Sequence, residues 1–404
     1  MNKPEKHIVR VIESDPQKGR AVVIAKDAQH QVEWPGKPPA VGDVYTAVFS
    51  PRFAPLEKIA NGNAAADIIN GDTLRWRKPD ASGRTRMDAL QKRHLIKRAV
   101  RDYLHGENFI EIDMPLLVRG TTPDSEIESF ALDGRYLVTS TEYQLNRMEI
   151  GGFDRIYTLT QNFRRGEEGR YRNPEFTMLE WARVGETLEV IERDLEQFLW
   201  RAHKALGGSG QLVCQGKKID VTPPFDRMTV KEAVKRVTGA ALPDFSAASF
   251  SKAVQAANIT MHCADGADDA LLFSMLMDHI QGHLGFERPV FLRDWPVFQT
   301  SSAKENESGG FVERSELIVA GVELSNGFPS ITSPAHQQEA FLRQLERRRT
   351  HGKEKVELDA AYLDAMREGF PDSAAMALGF DRLVMILTDR SDIASVLAFG
   401  RDEL

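Results

Sequence analysis

Asn162-Phe163-Arg164-Arg165-Gly166-Glu167-Glu168-Gly169-Arg170-Tyr171-Arg172-Asn173-Pro174-Glu175-Phe176-Thr177-Met178-Leu179-Glu180-Trp181 sets two strand-like segments on either side of a loop dense in charge and glycine. Such a pattern is a β-hairpin. The loop alone has two readings: a solvated turn whose charges keep a sheet edge soluble, or cations and carboxylates arrayed around a ligand. Outward from it, strands are expected at 136–140, 155–163, 289–294 and 316–327. Another, at 109–115, ends in Pro115, which cannot donate to a central ladder and so belongs at an edge or an interface. A helix is expected over 84–106, where Leu90, Ile96, Val100, Tyr103 and Leu104 keep helical spacing before Gly106. Residues 229–285 read as mostly helical. Long strands joined by short turns, with helices grouped elsewhere, indicate an α+β fold on an antiparallel sheet rather than βαβ units.

Two further stretches carry chemistry-bearing residues. In 375–387, small residues run into an apolar helix with Asp381 and Arg382 in its first turn, a pattern that a core helix with an acidic N-terminus also explains. In 314–328, Glu316 and Glu323 lie an odd number of residues apart. An ideal strand would place them on opposite faces, so a shared metal needs a bulge or turn, and Gly321 is the place for one. Periodicity alone favours two surface carboxylates. Glu142 follows Ser140 and Thr141, and its simplest reading is an acid at a helix N-terminus.

The chain has 404 residues, 42% hydrophobic and 27% charged, enough for one large core and a smaller module. Short β-rich pieces at 7–12, 21–24, 31–34 and 43–49, separated by turn signals, predict a small N-terminal barrel over 1–60. A linker is expected at 61–80, opening with the Ala/Asn/Gly-rich 61–67, and a large domain at 81–404. Small barrels bind nucleic acid, protein or only their neighbours, so the barrel assigns no role. Cys214 and Cys263 give neither a disulfide framework nor a metal-ligand spacing. No apolar run is long enough for a bilayer, and the polar opening of the chain is unlike a leader, so a cytoplasmic protein is expected. The closing Arg401-Asp402-Glu403-Leu404 resembles a retention signal and is read as coincidence. A net charge of −7 argues against a surface that grips nucleic acid throughout.

Together, 162–181, 314–328 and 375–387, in that order, resemble the class II aminoacyl-tRNA synthetases of the lysine type, over roughly residues 70–400. The hairpin is similar to motif 2, 375–387 to motif 3, and helix 84–106 with the strand at 109–115 to motif 1, which implies a homodimer. The resemblance implies ATP and Mg²⁺ as cofactors. Arg164 would bind the α-phosphate, Arg382 the γ-phosphate of a bent ATP, and Phe176 the adenine, with Glu316 and Glu323 holding the metal. Glu142 would lie near the substrate α-amine, in a pocket that includes Glu180, Ala182, Asn326, Phe328, Ser330 and Ala377. Residues 223–288 would form a helical insertion between motifs 2 and 3. The likeness is greatest to the elongation factor P lysine ligases, which implies transfer of an amino acid to a lysine of an acceptor protein. Transfer to tRNA, small-molecule amide ligation and a non-catalytic binding protein are the alternatives.

Four positions depart from the family pattern. Ala182 and Ser330 stand where a tyrosine and a glutamate are expected to meet a distal amine, so a buried ammonium lacks partners unless another carboxylate replaces them. Gly166 stands where an adenine-contacting glutamate is expected, a role that Glu167 would take by a one-residue shift. Arg172 stands in place of a histidine.

Overall fold

The computed structural model describes residues 7–25, 28–41, 43–49, 53–60, 75–259 and 269–403. Most of the expected linker, 61–74, and Cys263 lie outside the described residues. By internal contacts the chain divides into two units, Met1–Arg93 with Val396–Ala398, and His94–Ser395 with Phe399–Leu404.

The first unit holds β1 (His7–Asp15), β2 (Arg20–Ala25), β3 (Ala28–Glu33), β4 (Val44–Val48) and β5 (Ala54–Ala60) in one antiparallel sheet of order β3-β2-β1-β4-β5. Its two outer strands are not paired with each other, so the expected barrel is an unclosed sheet. Alternation drives its core: Val9, Val11, Val23, Val32 and Ala47 turn inward, capped by Trp34, whose ring meets Tyr45 at 5.0 Å. β5 was not anticipated, because Pro55 and the polar Glu57-Lys58 obscure its pattern. An edge strand tolerates both.

α1 (Arg86–Gly106), within which the division falls, leads to β6 (Ile110–Glu111). A small sheet of β7 (Leu117–Val118), β8 (Ala131–Leu132) and β9 (Arg135–Leu137) precedes α2 (Glu142–Ile150). The expected hairpin is β10 (Arg155–Phe163) and β11 (Glu175–Val184), in antiparallel register from Arg155↔Arg183 to Phe163↔Glu175. Then come α3 (Leu188–Ala205), the hairpin β12 (Gln211–Cys214) and β13 (Lys217–Asp220), β14 (Asp226–Thr229), α4 (Val230–Thr238), α5 (Ala247–Ala256), α6 (Asp269–Gln281) and β15 (Val290–Trp295). The chain closes with β16 (Val312–Val319), β17 (Val322–Glu323), β18 (Ser325–Pro329), α7 (Pro334–Thr350), α8 (Ala360–Gly369), β19 (Ser373–Gly379) and α9 (Phe380–Leu387).

The large sheet runs β14-β15-β16-β18-β19-β11-β10-β6, with β17 paired to β16. Only the outermost pairs, β14–β15 and β10–β6, are parallel. This is the antiparallel sheet flanked by helices that the sequence predicts. Three boundaries differ from expectation. The strand read over 109–115 pairs only at Ile110 and Glu111, at the sheet edge, as its proline requires. The region 223–288 opens with β14 before its helices, because Asp226 to Thr229 continue the ladder alongside β15. The strand read over 316–327 is three strands, broken by Ala320 and Gly321, whose φ angles of 52° and 76° make a two-residue hairpin turn.

Trp181 and its odd-numbered neighbours on β11 face α3, where the indole meets Phe198 at 4.8 Å. The even-numbered residues therefore look out from the opposite face, which is where the hairpin presents its chemistry. α3 is tied to three strands by one carboxylate. Fully buried Glu192 accepts from Arg227 Nε at 2.7 Å, Arg293 Nε at 2.7 Å and Ser315 Oγ at 2.7 Å. These partners sit on β14, β15 and β16.

Candidate active site

Strand register builds the floor of the site. On β18, β19 and β11, Asn326 pairs with Ala377 and Ala377 with Glu180. Phe328 pairs with Ala375 and Ala375 with Ala182. One rung further, Ser330 N donates to Ser373 O at 3.1 Å, and Ser373 pairs with Val184. A cavity of about 350 Å³ opens over this face. Its lining takes in the whole first rung and, from the second, Phe328 and Ala375, but neither Ala182 nor Ser330. Those two expected pocket residues are on the correct face yet buried off the cavity, at 0% and 3% exposure. The family resemblance placed them in the pocket, and a motif position fixes the face of a strand but not the depth of the side chain.

At one end of the cavity the loop after β10 gathers cations. Arg164 donates through Nε to Thr139 O at 3.2 Å, and its guanidinium lies 5.2 Å from the Phe176 ring centroid. Gly166, at φ 79°, turns the chain so that Glu167 lies between Arg164 at 3.5 Å and Arg172 at 3.6 Å. Arg164, Glu167, Arg172 and Phe176 all line the cavity. The one-residue shift expected for Glu167 is therefore sterically available. Arg382, in the first turn of α9, donates to Tyr171 O at 3.1 Å and Glu323 O at 2.9 Å. Its neighbour Asp381, read from sequence only as a helix N-terminal acid, accepts from Thr177 N at 2.8 Å and so pins α9 to β11. Arg164 and Arg382 thus enter one cavity from elements more than two hundred residues apart in sequence.

The turn at Ala320-Gly321 resolves the parity of the two glutamates. Glu323 pairs with Ile318, two residues from Glu316, so both carboxylates fall on one face. Glu323 lines the cavity. Glu316 lies deeper, ion-paired to Arg314 and accepting from Gln281 Nε2 at 3.3 Å, and is not part of the lining. Burial, and then the neighbouring Glu323 charge, push the Glu316 carboxyl well above its ordinary range. Two crowded acids of this kind suit a hard divalent cation, whose charge relieves both penalties. Among the described residues no three His, Cys, Asp or Glu side chains are grouped to hold a metal. An ion here would draw its remaining oxygens from water and phosphate.

Opposite, α2 covers the floor. Glu142 stands at its first turn with Oε1 buried and unpartnered, and burial raises its pKa to about 7, with the Glu180 charge adding to the effect. Glu180 is already committed: Ser140 Oγ, Thr141 N at 2.7 Å and Thr141 Oγ1 all donate to it, so it fixes the entry to α2. Asn326 is oriented by Arg314, whose Nε donates to Oδ1 at 2.8 Å. Sequence reading missed Arg314 and also Glu149, a second carboxyl on α2 raised by burial to about 7. The spacing of Glu142, Asn146 and Glu149 at three and four residues was the available signal.

Both carboxyls have folded-state pKa values near 7 against an ordinary 4.5. Their protonated forms favour the folded state, so the contribution is complete below about 4.5 and lost as pH rises through about 7. The ligand-free protein will therefore melt at lower temperature as pH rises across that window. Glu142→Gln will remove part of the slope, on the order of 3 kcal/mol at the alkaline end. Melting curves of both proteins against pH test this, and parallel curves would refute it.

This cavity, walled by an arginine-bearing hairpin loop and a strand-to-helix arginine on an antiparallel sheet, is the arrangement of a known class: the chain belongs to the class II tRNA synthetases of the D, K and N type, whose family pattern matches residues 73–403. Among curated proteins it is similar to the lysine–tRNA ligase of Prochlorococcus marinus (strain MIT 9211), 31% identical over 319 residues covering 77% of this chain and 63% of that protein. The lysine–tRNA ligase of Syntrophomonas wolfei is 32% identical over 321 residues, 77% of this chain and 64% of the relative. The chain thus spans about 63% of the length of such relatives. No helix among the described residues is long and apolar enough to cross a membrane.

Proposed function

We propose that the protein activates an amino acid with ATP as an aminoacyl-adenylate and then transfers the aminoacyl group to an acceptor amine or hydroxyl. The observation that carries this reading is the convergence of Arg164, Phe176, Arg382 and Glu323 on one cavity that Glu142 also lines. The amino-acid carboxylate attacks the α-phosphorus, forming a P–O bond as the bond to pyrophosphate breaks. Arg164 steadies the charge that develops on the α-phosphate, and Arg382 holds the leaving pyrophosphate. Phe176, which lines the cavity, offers a ring face on which the adenine stacks. Glu142, once ionised, accepts the substrate α-ammonium and sets the carboxylate on line. Glu323 and Glu316 are the residues that would hold Mg²⁺, which would neutralise negative charge on the triphosphate.

We infer that the acceptor is a protein lysine, as the resemblance to elongation factor P lysine ligases implies. Its amine attacks the mixed anhydride, AMP leaves, and an amide forms. The lysine–tRNA ligase relatives and the N-terminal antiparallel sheet favour a second reading, in which a tRNA hydroxyl is acylated. A homodimer accompanies either reading, through the edge strand β6 with Ile110 half exposed beside the exposed Leu116 and Leu117. ATP–pyrophosphate exchange against a panel of amino acids tests activation. Exchange with at least one is the expected result, and none with any would leave a binding protein. Labelled tRNA and labelled elongation factor P, offered in parallel, then separate the two acceptors.

A further inference from the structure

Glu149 is the buried acid that the proposed reaction leaves unused. It is 2% exposed, on the last turn of α2, and neither carboxylate oxygen has a hydrogen-bond partner among the described residues. A carboxylate in that state is costly, and among the described residues no cation pairs with it. Its surroundings are also unsatisfied. The Ser373 hydroxyl lies beside it without closing a hydrogen bond, and the neighbouring Ser330 hydroxyl and Asn146 Oδ1 are likewise buried and without partners. Four orphaned polar groups, from α2, β19 and the residue that follows β18, thus gather at one place.

That place lies just beyond the amino-acid pocket. The cavity lining stops at Asn146 on α2 and Ala375 on β19. The next turn of α2 brings Glu149, and the next rung of the sheet brings Ser373 and Ser330. Glu142, at the end proposed for the α-ammonium, and Glu149 are separated by seven residues, about 10 Å along a helix axis. An amino acid extended between them presents its α-ammonium to one carboxylate and the tip of its side chain to the other. The rung between presents Ala375 and Phe328 to the cavity with Ala182 beneath them, which leaves the side chain's path apolar.

We propose that Glu149 is the counter-charge for a cationic group at the far end of the substrate's side chain, with Ser330 and Ser373 accepting its remaining hydrogens. This rests on the amino-acid-activating reading and adds the residue that selects the substrate. It also supplies the carboxylate that Ala182 and Ser330 do not.

Exchange kinetics with lysine and with its uncharged analogue norleucine, on the full-length wild type and on Glu149→Gln, test the inference. Wild type will favour lysine. In Glu149→Gln, kcat/KM for lysine will fall by at least about 30-fold, chiefly through KM, while norleucine changes little, because truncating one partner of a buried charge pair leaves the other unpaired. An unchanged lysine-to-norleucine ratio in the variant, or a wild type that does not distinguish the two, overturns the inference. Calorimetric titration of lysine into both proteins without ATP reads the same contrast independently of turnover. If no amino acid supports exchange, the proposed activity fails, and the assignment of Glu149 then stands or falls on the titration. Glu149→Leu guards against misfolding: removing an unpaired buried charge will raise the melting temperature of the ligand-free protein while abolishing the lysine preference, and a retained preference would contradict the assignment.

Discussion

Replacing Arg164 or Arg382 with alanine will reduce ATP–pyrophosphate exchange by at least about 10³-fold, the loss expected when a preorganised cationic donor is removed from a site of charge development. Each guanidinium is anchored by its backbone acceptors: Arg164 by Thr139 O, and Arg382 by Tyr171 O and Glu323 O. The charge is therefore in place before the nucleotide arrives, and no reorganisation is needed during the reaction. The two side chains remain 23% and 20% exposed, so their removal leaves acceptors that water can reach. Folding should survive both substitutions, and melting curves close to wild type would confirm it. Lysine at either position will restore little, since one ammonium cannot reproduce two directed donors. Exchange unchanged in both alanine variants would remove the assignment of these arginines.

The second large effect falls on stability. Glu192→Ala will destabilise the protein by about 3–5 kcal/mol, because two guanidiniums lose the one buried carboxylate they share. Arg227 and Arg293 both donate to it, and Ser315 donates from the strand between β15 and β18. Arg227 retains Glu196 at 3.1 Å and Arg293 retains Glu189 at 3.2 Å, so the change is a loss of cohesion between α3 and the strands rather than a complete orphaning. Denaturant titration will show it as a lower midpoint. A midpoint shift of less than about 1 kcal/mol would mean that the remaining pairs carry the interface.

Much of the fold was legible because its strands announce themselves. The two arms of the β10–β11 hairpin are long, and pairing them leaves the charged loop between them to make the turn. Gly321 was sufficient to place a turn between Glu316 and Glu323. β5 and β14 were missed for opposite reasons: Pro55 made one look irregular, and the helices following Thr229 masked four residues of strand before them. In the site, residues at the surface of the cavity, Arg164, Phe176, Glu323 and Arg382, were readable from motif positions. What depends on depth was not. Ala182 and Ser330 share the cavity's face but sit beneath it, Glu316 is screened by Arg314, and Glu149 becomes conspicuous only when both its oxygens are seen to lack a hydrogen-bond partner among the described residues.

A crystal structure with Mg²⁺ and ATP bound is the most direct test. The α-phosphate should lie against Arg164, the γ-phosphate against Arg382, the adenine on Phe176, and the ion between Glu323 and the phosphates. A nucleotide lodged in another cavity, or one that leaves these four side chains untouched, would contradict the account.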